Sequence, residues 1–339
     1  MLLVLRSWPV FIYALAISIE SILVEPLTTN LHIPPIVISA VSITLAGIFL
    51  LLASAIIYRR NSKFTDISRG FLIFSKSKRN LFCASAFLAI GIFTWYDSIS
   101  RVGASKEALL AGPLEVIMIV ILAYIFLREK LDNTQAIGVV VAIIGFFLAV
   151  LSDVSYSSSE FSLSMNGYSI VTLGDIEAII SALGFATAVL FMTKLVSIHT
   201  PLQVSSASLL VSGLILIGLL ILSVSIFPQE VFSFKSIPTL GSPIVITALL
   251  LFAWIPFVGA LSYSVGLRRL GAAITGTIGS SSIILTLALQ VALNVNGILY
   301  SNLPENILLA GVGSLVGFAG IFIIHLDRRT YVFWKRINK

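Results

Sequence analysis

Apolar residues in this chain arrive in long blocks separated by short polar intervals. Each block runs to about 20 residues, the length an α-helix needs to cross the hydrocarbon core of a bilayer. Ten spans are predicted, at about 8–27, 34–58, 81–100, 106–127, 134–151, 175–194, 202–227, 243–264, 272–293 and 307–325. All are expected to be helices, because backbone surrounded by lipid must satisfy its own hydrogen bonds. The expected fold class is therefore an all-α polytopic membrane protein. The first span is not expected to be a signal peptide: Ala14-Leu15-Ala16 imitates a cleavage site, but the apolar run continues to Leu23.

Composition agrees. Of 339 residues, 58% are hydrophobic and 11% charged, where a soluble chain has about 25% charged; mean hydropathy is +1.07. Soluble domains are excluded. The single cysteine, Cys83, permits neither an internal disulfide nor a Cys-based metal cage. Three histidines (His32, His199, His325) without a Cys-x-x-Cys give no metal site, and no cofactor is expected. No phosphate-binding Gly-x-x-x-x-Gly-Lys-Ser/Thr loop occurs, so the chain itself is no primary pump.

The net charge of +6 would suggest nucleic acid in a soluble chain, but its location gives topology instead. The second loop carries Arg59, Arg60, Lys63, Arg69, Lys76, Lys78 and Arg79 against one acid, Asp66. With that loop cytoplasmic, the same side receives Arg6, Arg128, Lys130, Lys194, Arg268, Arg269 and the basic tail 327–339. Only Arg101, Lys106 and Lys235 fall on the other side. Both termini are thus expected in the cytoplasm, with the chain in the cell membrane.

The sequence also repeats itself at a shift close to half its length. His32-Ile33-Pro34 recurs as His199-Thr200-Pro201, Tyr96 as Tyr263, and Arg101 as Arg268. With one residue of slippage, Gly103-Ala104 aligns with Gly271-Ala272. Near the ends of the halves, Gly138…Gly145-Phe146-Phe147 matches Gly313…Gly320-Ile321-Phe322. The halves are 1–151 and 169–326, joined by a Ser-rich linker, 152–168, that lacks Lys and Arg and is expected outside. Each half holds five spans, an odd number, so the second must enter the membrane from the opposite face. Such inverted repeats are the architecture of many secondary transporters.

With these residues in place, the chain resembles the drug/metabolite transporter superfamily in its form with two EamA-type domains. The matching stretch of the first half runs from Gly103 to Asp153, with Pro113, the Arg128-Glu129-Lys130-Leu131 turn and the Gly138…Gly145 helix. The second half opens with Gly174-Asp175 and closes its first helix at Lys194-Leu195 in the same manner. Two departures stand out. Val295-Asn296-Gly297 replaces the Arg-Glu-Lys turn in the second half, and Glu115 stands where the family usually has an apolar side chain. The resemblance implies a ten-helix bundle whose cavity is lined by spans one to four and six to nine, with spans five and ten peripheral.

Two carboxylates lie well inside spans. At 1.5 Å per residue, Glu115 is within about 2 Å of the middle of the fourth span and Glu20 about 4–5 Å from the middle of the first. An ionised acid at such depth costs roughly 2.5–3.5 kcal/mol, so each should face a cavity or a partner. No Lys or Arg occupies the middle of any span. Glu20 and Glu115 are accordingly the candidate substrate-binding or proton-coupling residues. Tyr13, Trp95, Tyr96, Trp254, Tyr263 and Ser281 are candidate cavity-lining residues, since rings can hold a cation or an apolar substrate body. Against this, Trp and Tyr near span ends are commonly interfacial anchors, and the Gly271, Gly276, Gly279 spacing before Ser280-Ser281-Ser282 also suits close helix packing. Pro113 and Pro256 are expected to interrupt their helices.

Other polar residues have plainer readings. Asp175 is expected as the N-cap of the sixth span, and Asp132 with Gln135 as a capping box. Glu25, Asp97, Glu107 and Glu177 lie near outer ends, where water can reach them. Arg101 and Lys106 are outer-mouth charges that would have to serve any anionic sugar or nucleotide-sugar substrate. An intramembrane aspartyl protease would pair Asp97 with Asp175, but its Gly-x-Gly-Asp motif is absent, the chain reading Thr172-Leu173-Gly174-Asp175. No filter-like run supports a channel. The expectation is a non-enzymatic secondary transporter of a small organic solute such as an amino acid, amine or drug. Its partners are the lipid bilayer, the small-molecule substrate and, as candidate coupling ion, the proton; no nucleic acid is expected.

Overall fold

A computed structural model describes residues 2–60, 77–127, 133–152, 162–165, 168–226, 242–298, 303–304 and 306–325. The first half comprises α1 (Leu2–Thr29), α2 (Pro35–Arg60), α3 (Lys78–Val102), α4 (Ala104–Leu127) and α5 (Asn133–Leu151). A two-stranded antiparallel hairpin follows, β1 (Ser162–Met165) with β2 (Tyr168–Thr172). The second half comprises α6 (Leu173–Ile198), α7 (Pro201–Ile226), α8 (Pro243–Phe252), α9 (Trp254–Gly279), α10 (Ser281–Val295) and α11 (Ile307–His325). The polytopic all-α reading holds, and a hairpin at the junction of the linker and the second half is added to it. Among the described residues, six helical stretches, one of them running from α8 into α9, are long and apolar enough to cross a membrane by length and composition, and shorter apolar helices accompany them. Most of the second loop, the Arg128–Leu131 turn, Asp132, Lys235 and the basic tail lie outside the described residues.

The second half is cut differently from the expected spans. The eighth span is broken at Ala253, between α8 and α9, three residues before Pro256. Pro256 lacks the N–H that would bond the carbonyl four residues back, so the helix yields just ahead of it. α4, in contrast, runs through Pro113 without interruption. α9 then turns at Gly271 (φ 83, ψ 171), so that 254–270 completes the eighth span and 272–279 begins the ninth. The ninth span is itself broken at Ser280, between α9 and α10.

Helix starts follow from short-range chemistry. α6 begins with a reciprocal capping box: the Thr172 hydroxyl accepts from Asp175 N, while Asp175 Oδ2 accepts from Thr172 N at 2.7 Å. Thr172, not Asp175, is therefore the N-cap. Thr200 and Gln203 repeat the arrangement at α7, with Pro201 as the first helical residue.

Packing inverts the soluble pattern. On α1 the large apolar side chains Trp8, Phe11, Leu15, Ile19 and Leu23 point outward, the surface a lipid environment solvates. Small and polar residues turn inward, and hydroxyls tie helices together. Ser98 donates to Gly174 O (2.8 Å), Ser212 to Ser85 O (2.9 Å) and Ser18 to Ser282 O (3.0 Å). α3 packs along α6, α2 along α7, α1 along α9 and α5 along α11. His199 caps the end of α6, where burial pushes its imidazole below the usual histidine range and Ser77 Oγ lies 3.0 Å from its Nε2.

Candidate functional site

A cavity of about 150 Å³ lies between the halves. Its walls come from α1, α2, α3, α4, α6, α7, α9 and α10, and none of its lining residues belongs to α5 or α11. Glu20 and Glu115 both border it, so the two acids singled out by depth share one space. A third acid joins them. Glu107, expected near water at the outer end of its span, is 2% exposed and lines the same cavity.

Adjacent residues of α3 hold two of these acids. Trp95 Nε1 donates to Glu107 Oε2 at 2.8 Å, and the Tyr96 hydroxyl donates to Glu20 Oε1 at 2.5 Å. Trp95 faces the cavity edge-on to Phe185, with ring centroids 5.8 Å apart. Tyr96 is fully buried and stands behind Glu20 rather than among the lining residues. The second Glu107 oxygen, Oε1, has no hydrogen-bond partner among the described residues. Tyr263 Oη and Thr286 Oγ1, on the same cavity wall, share that condition.

Tyr13 and Tyr263, both lining the cavity, meet with ring centroids 4.5 Å apart. Tyr13 fits there because Gly279 carries no side chain: a Cβ on Gly279 would lie 3.0 Å from Tyr13 Cε1. The break between α9 and α10 falls at this point, and it directs Gly276, Ser280 and Ser282 into the cavity. Ser281 does not line it; its hydroxyl donates back to Ile278 O.

Several expectations are corrected by orientation about the helix axis. Trp254 is 51% exposed and stacks on Phe49 at 5.0 Å, on the outer surface of the bundle. Glu25, expected in water, is buried and accepts from Gln290 Nε2 at 2.9 Å. Arg101 and Lys106 do not border the cavity: Arg101 pairs with Asp97 and Glu177, both at 3.2 Å, and Lys106 with Asp175 at 3.3 Å. These pairs link α3 and α4 to the start of α6. Asp97 and Asp175 are therefore engaged separately, Asp97 by Arg101 and Asp175 by Lys106 and the capping box.

The chemical result is a small chamber with three carboxylates, two phenols, an indole and hydroxyls. Among the described residues that line it there is no Lys or Arg. Among the described residues no group of three His, Cys, Asp or Glu is arranged to hold a metal ion. Glu107 could have been found from the sequence by noting that a turn at Gly103 folds α4 back on α3, which brings Glu107 beside Trp95.

No curated protein matches the sequence. The fold is similar to that of a solved protein described only as “Crystal structure of protein”, with a TM-score of 0.61 and 14% identity, over 96% of this chain and 98% of that one. That likeness concerns the fold alone. Residues 7–151 are similar to the EamA-like transporter family, part of the drug/metabolite transporter superfamily.

Proposed function

We propose that this chain is a secondary transporter of a small organic solute in the cytoplasmic membrane. It works by alternating access between two inverted five-helix halves, 1–151 and 169–326, with both termini cytoplasmic. The observation that carries the reading is the chamber between the halves, lined by Glu20, Glu107 and Glu115 and by no Lys or Arg. Buried acids without a cation suit a positively charged group or a proton. An anionic sugar is disfavoured, because Arg101 and Lys106 are paired with acids away from the chamber.

Helix pairing supports the inverted halves. Exchanging each span for the one five places on maps the α1–α9 pair onto α6–α3, and the α4–α6 pair onto α10–α1. The α2–α7 and α5–α11 pairs map onto themselves. The turns agree as well: Gly103 (φ 86, ψ 159) and Gly271 (φ 83, ψ 171), aligned by the repeat, adopt one conformation.

The test begins with thermal unfolding of the purified protein against amines, amino acids and anionic sugars at acidic and neutral pH. A ligand at 100 times its Kd, binding only the folded state, adds about 2.7 kcal/mol. Uptake of the stabilising solute into liposomes under an imposed pH gradient follows. Glu115→Gln should abolish gradient-driven uptake while leaving the protein folded. Full proton-driven activity in that variant would sink the assignment of Glu115.

A further inference from the structure

We propose that the chamber is built for a dication, an α,ω-diammonium solute held by Glu107 at one end and by Glu115 at the other. This rests on the transporter reading and narrows its substrate class. Three carboxylates border one space of about 150 Å³ with no Lys or Arg in its wall. A neutral or anionic solute would leave this arrangement uncompensated, and a monocation would answer only one end of it.

Glu107 makes the second end a site. Its carboxylate is 2% exposed, and Trp95 fixes it through Oε2. Oε1 is left without a donor among the described residues, beside the cavity. A buried carboxylate oxygen without a donor is costly, and an ammonium entering the chamber supplies one. The Trp95 ring beside it adds a face suited to a cation. The adjacent Lys106 does not fill this role, being directed to Asp175.

Spacing sets the length of the ligand. Glu107 and Glu115 are eight residues apart on α4, a little over two turns, so their Cα atoms are separated by about 12 Å along the axis. With an N–H···O bond of about 2.8 Å at each end, the nitrogens of a bridging solute would sit roughly 6–12 Å apart. Between the two acids α4 presents Ala108, Ala111 and Gly112 to the cavity, with Leu88 and Ile92 of α3 also on its walls. Small and apolar side chains on this stretch of α4 and α3 leave a slot that suits a methylene chain.

The experiment is equilibrium binding to the full chain in detergent. A series of α,ω-diaminoalkanes of two to ten carbons is compared with n-alkylamines of matching length. The expected result is a chain-length optimum at which the diamine binds at least ten-fold more tightly than the matching monoamine. In Glu107→Gln that advantage should shrink to within two-fold, through loss of diamine affinity. The diamine series on the unaltered protein is independent of whether the variant folds. Equal binding of diamines and monoamines overturns the inference and leaves a carrier of monocations intact. Failure of every amine, with gradient-driven uptake of some other solute, overturns the inference but not the transporter reading. Absence of any solute uptake overturns that reading as well.

Discussion

Tyr96 on α3 donates its hydroxyl to Glu20 on α1, and both residues are buried. The bond holds one acid of the chamber from behind, out of contact with solute. Tyr96→Phe removes only the oxygen, leaving the Glu20 carboxylate short of a donor at a cost of about 1–3 kcal/mol. The expected outcome is a lower unfolding temperature. In a Glu20→Gln background the same change should cost less, about 0.5–1.5 kcal/mol, because a neutral amide loses less than a carboxylate. A double-mutant cycle in detergent measures this coupling; strict additivity would show that the contact does not matter.

The spans and their order were legible in the sequence because hydrophobic length is what a bilayer selects. Orientation about each axis was not. In a helix apolar on nearly every side, hydropathy reports depth and says little about which way a side chain points. Trp254 is deep in its span yet faces outward on Phe49, whereas Glu107 and Glu25 are near span ends yet buried. Glu20 and Glu115 were found because depth alone makes an acid there expensive. Pro256 announced the break at Ala253, whereas the break at Ser280 carries no such signal.

The peripheral pair α5–α11 offers a test of whether the chamber depends on its surroundings. A Cβ on Gly145 would run into the Gly317 backbone and crowd Gly313 O, while one on Gly320 would run into Ala142 and crowd Gly138 O. The two contacts are counterparts under the sequence repeat. Gly145→Val should therefore force the helices apart and destabilise by about 1–3 kcal/mol. Neither helix lines the cavity, so affinity for a bound solute should change less than two-fold. A large loss of affinity at preserved stability would contradict the peripheral role of this pair.

His199 supplies a pH dependence with a definite sign. Burial lowers its folded value from the usual 6.5, so the unfolded chain takes up a proton more readily than the folded one. Stability from this group is fully present above about pH 6.5 and falls as the pH drops below it. His199→Gln keeps a hydrogen-bonding side chain opposite Ser77 but cannot titrate in this range. The unfolding temperature of the parent should fall more steeply than that of the variant between about pH 6.5 and 5. Parallel curves would show that His199 protonates equally in both states.

The two glycine turns test the repeat directly. Gly103 and Gly271 share a conformation with φ above 80° and ψ near 160–170°, a region essentially closed to residues with a Cβ. Each ends one span and starts the next, α3 to α4 and the eighth to the ninth. Alanine at either position should cost about 1–3 kcal/mol. If the halves are built alike, the two penalties should agree within about 1 kcal/mol. They should add in the double variant, since well-separated sites act independently. The measurement is thermal or denaturant unfolding of Gly103→Ala, Gly271→Ala and the pair. A full penalty at one turn and none at the other would mean that the shared backbone shape does not reflect a shared structural demand.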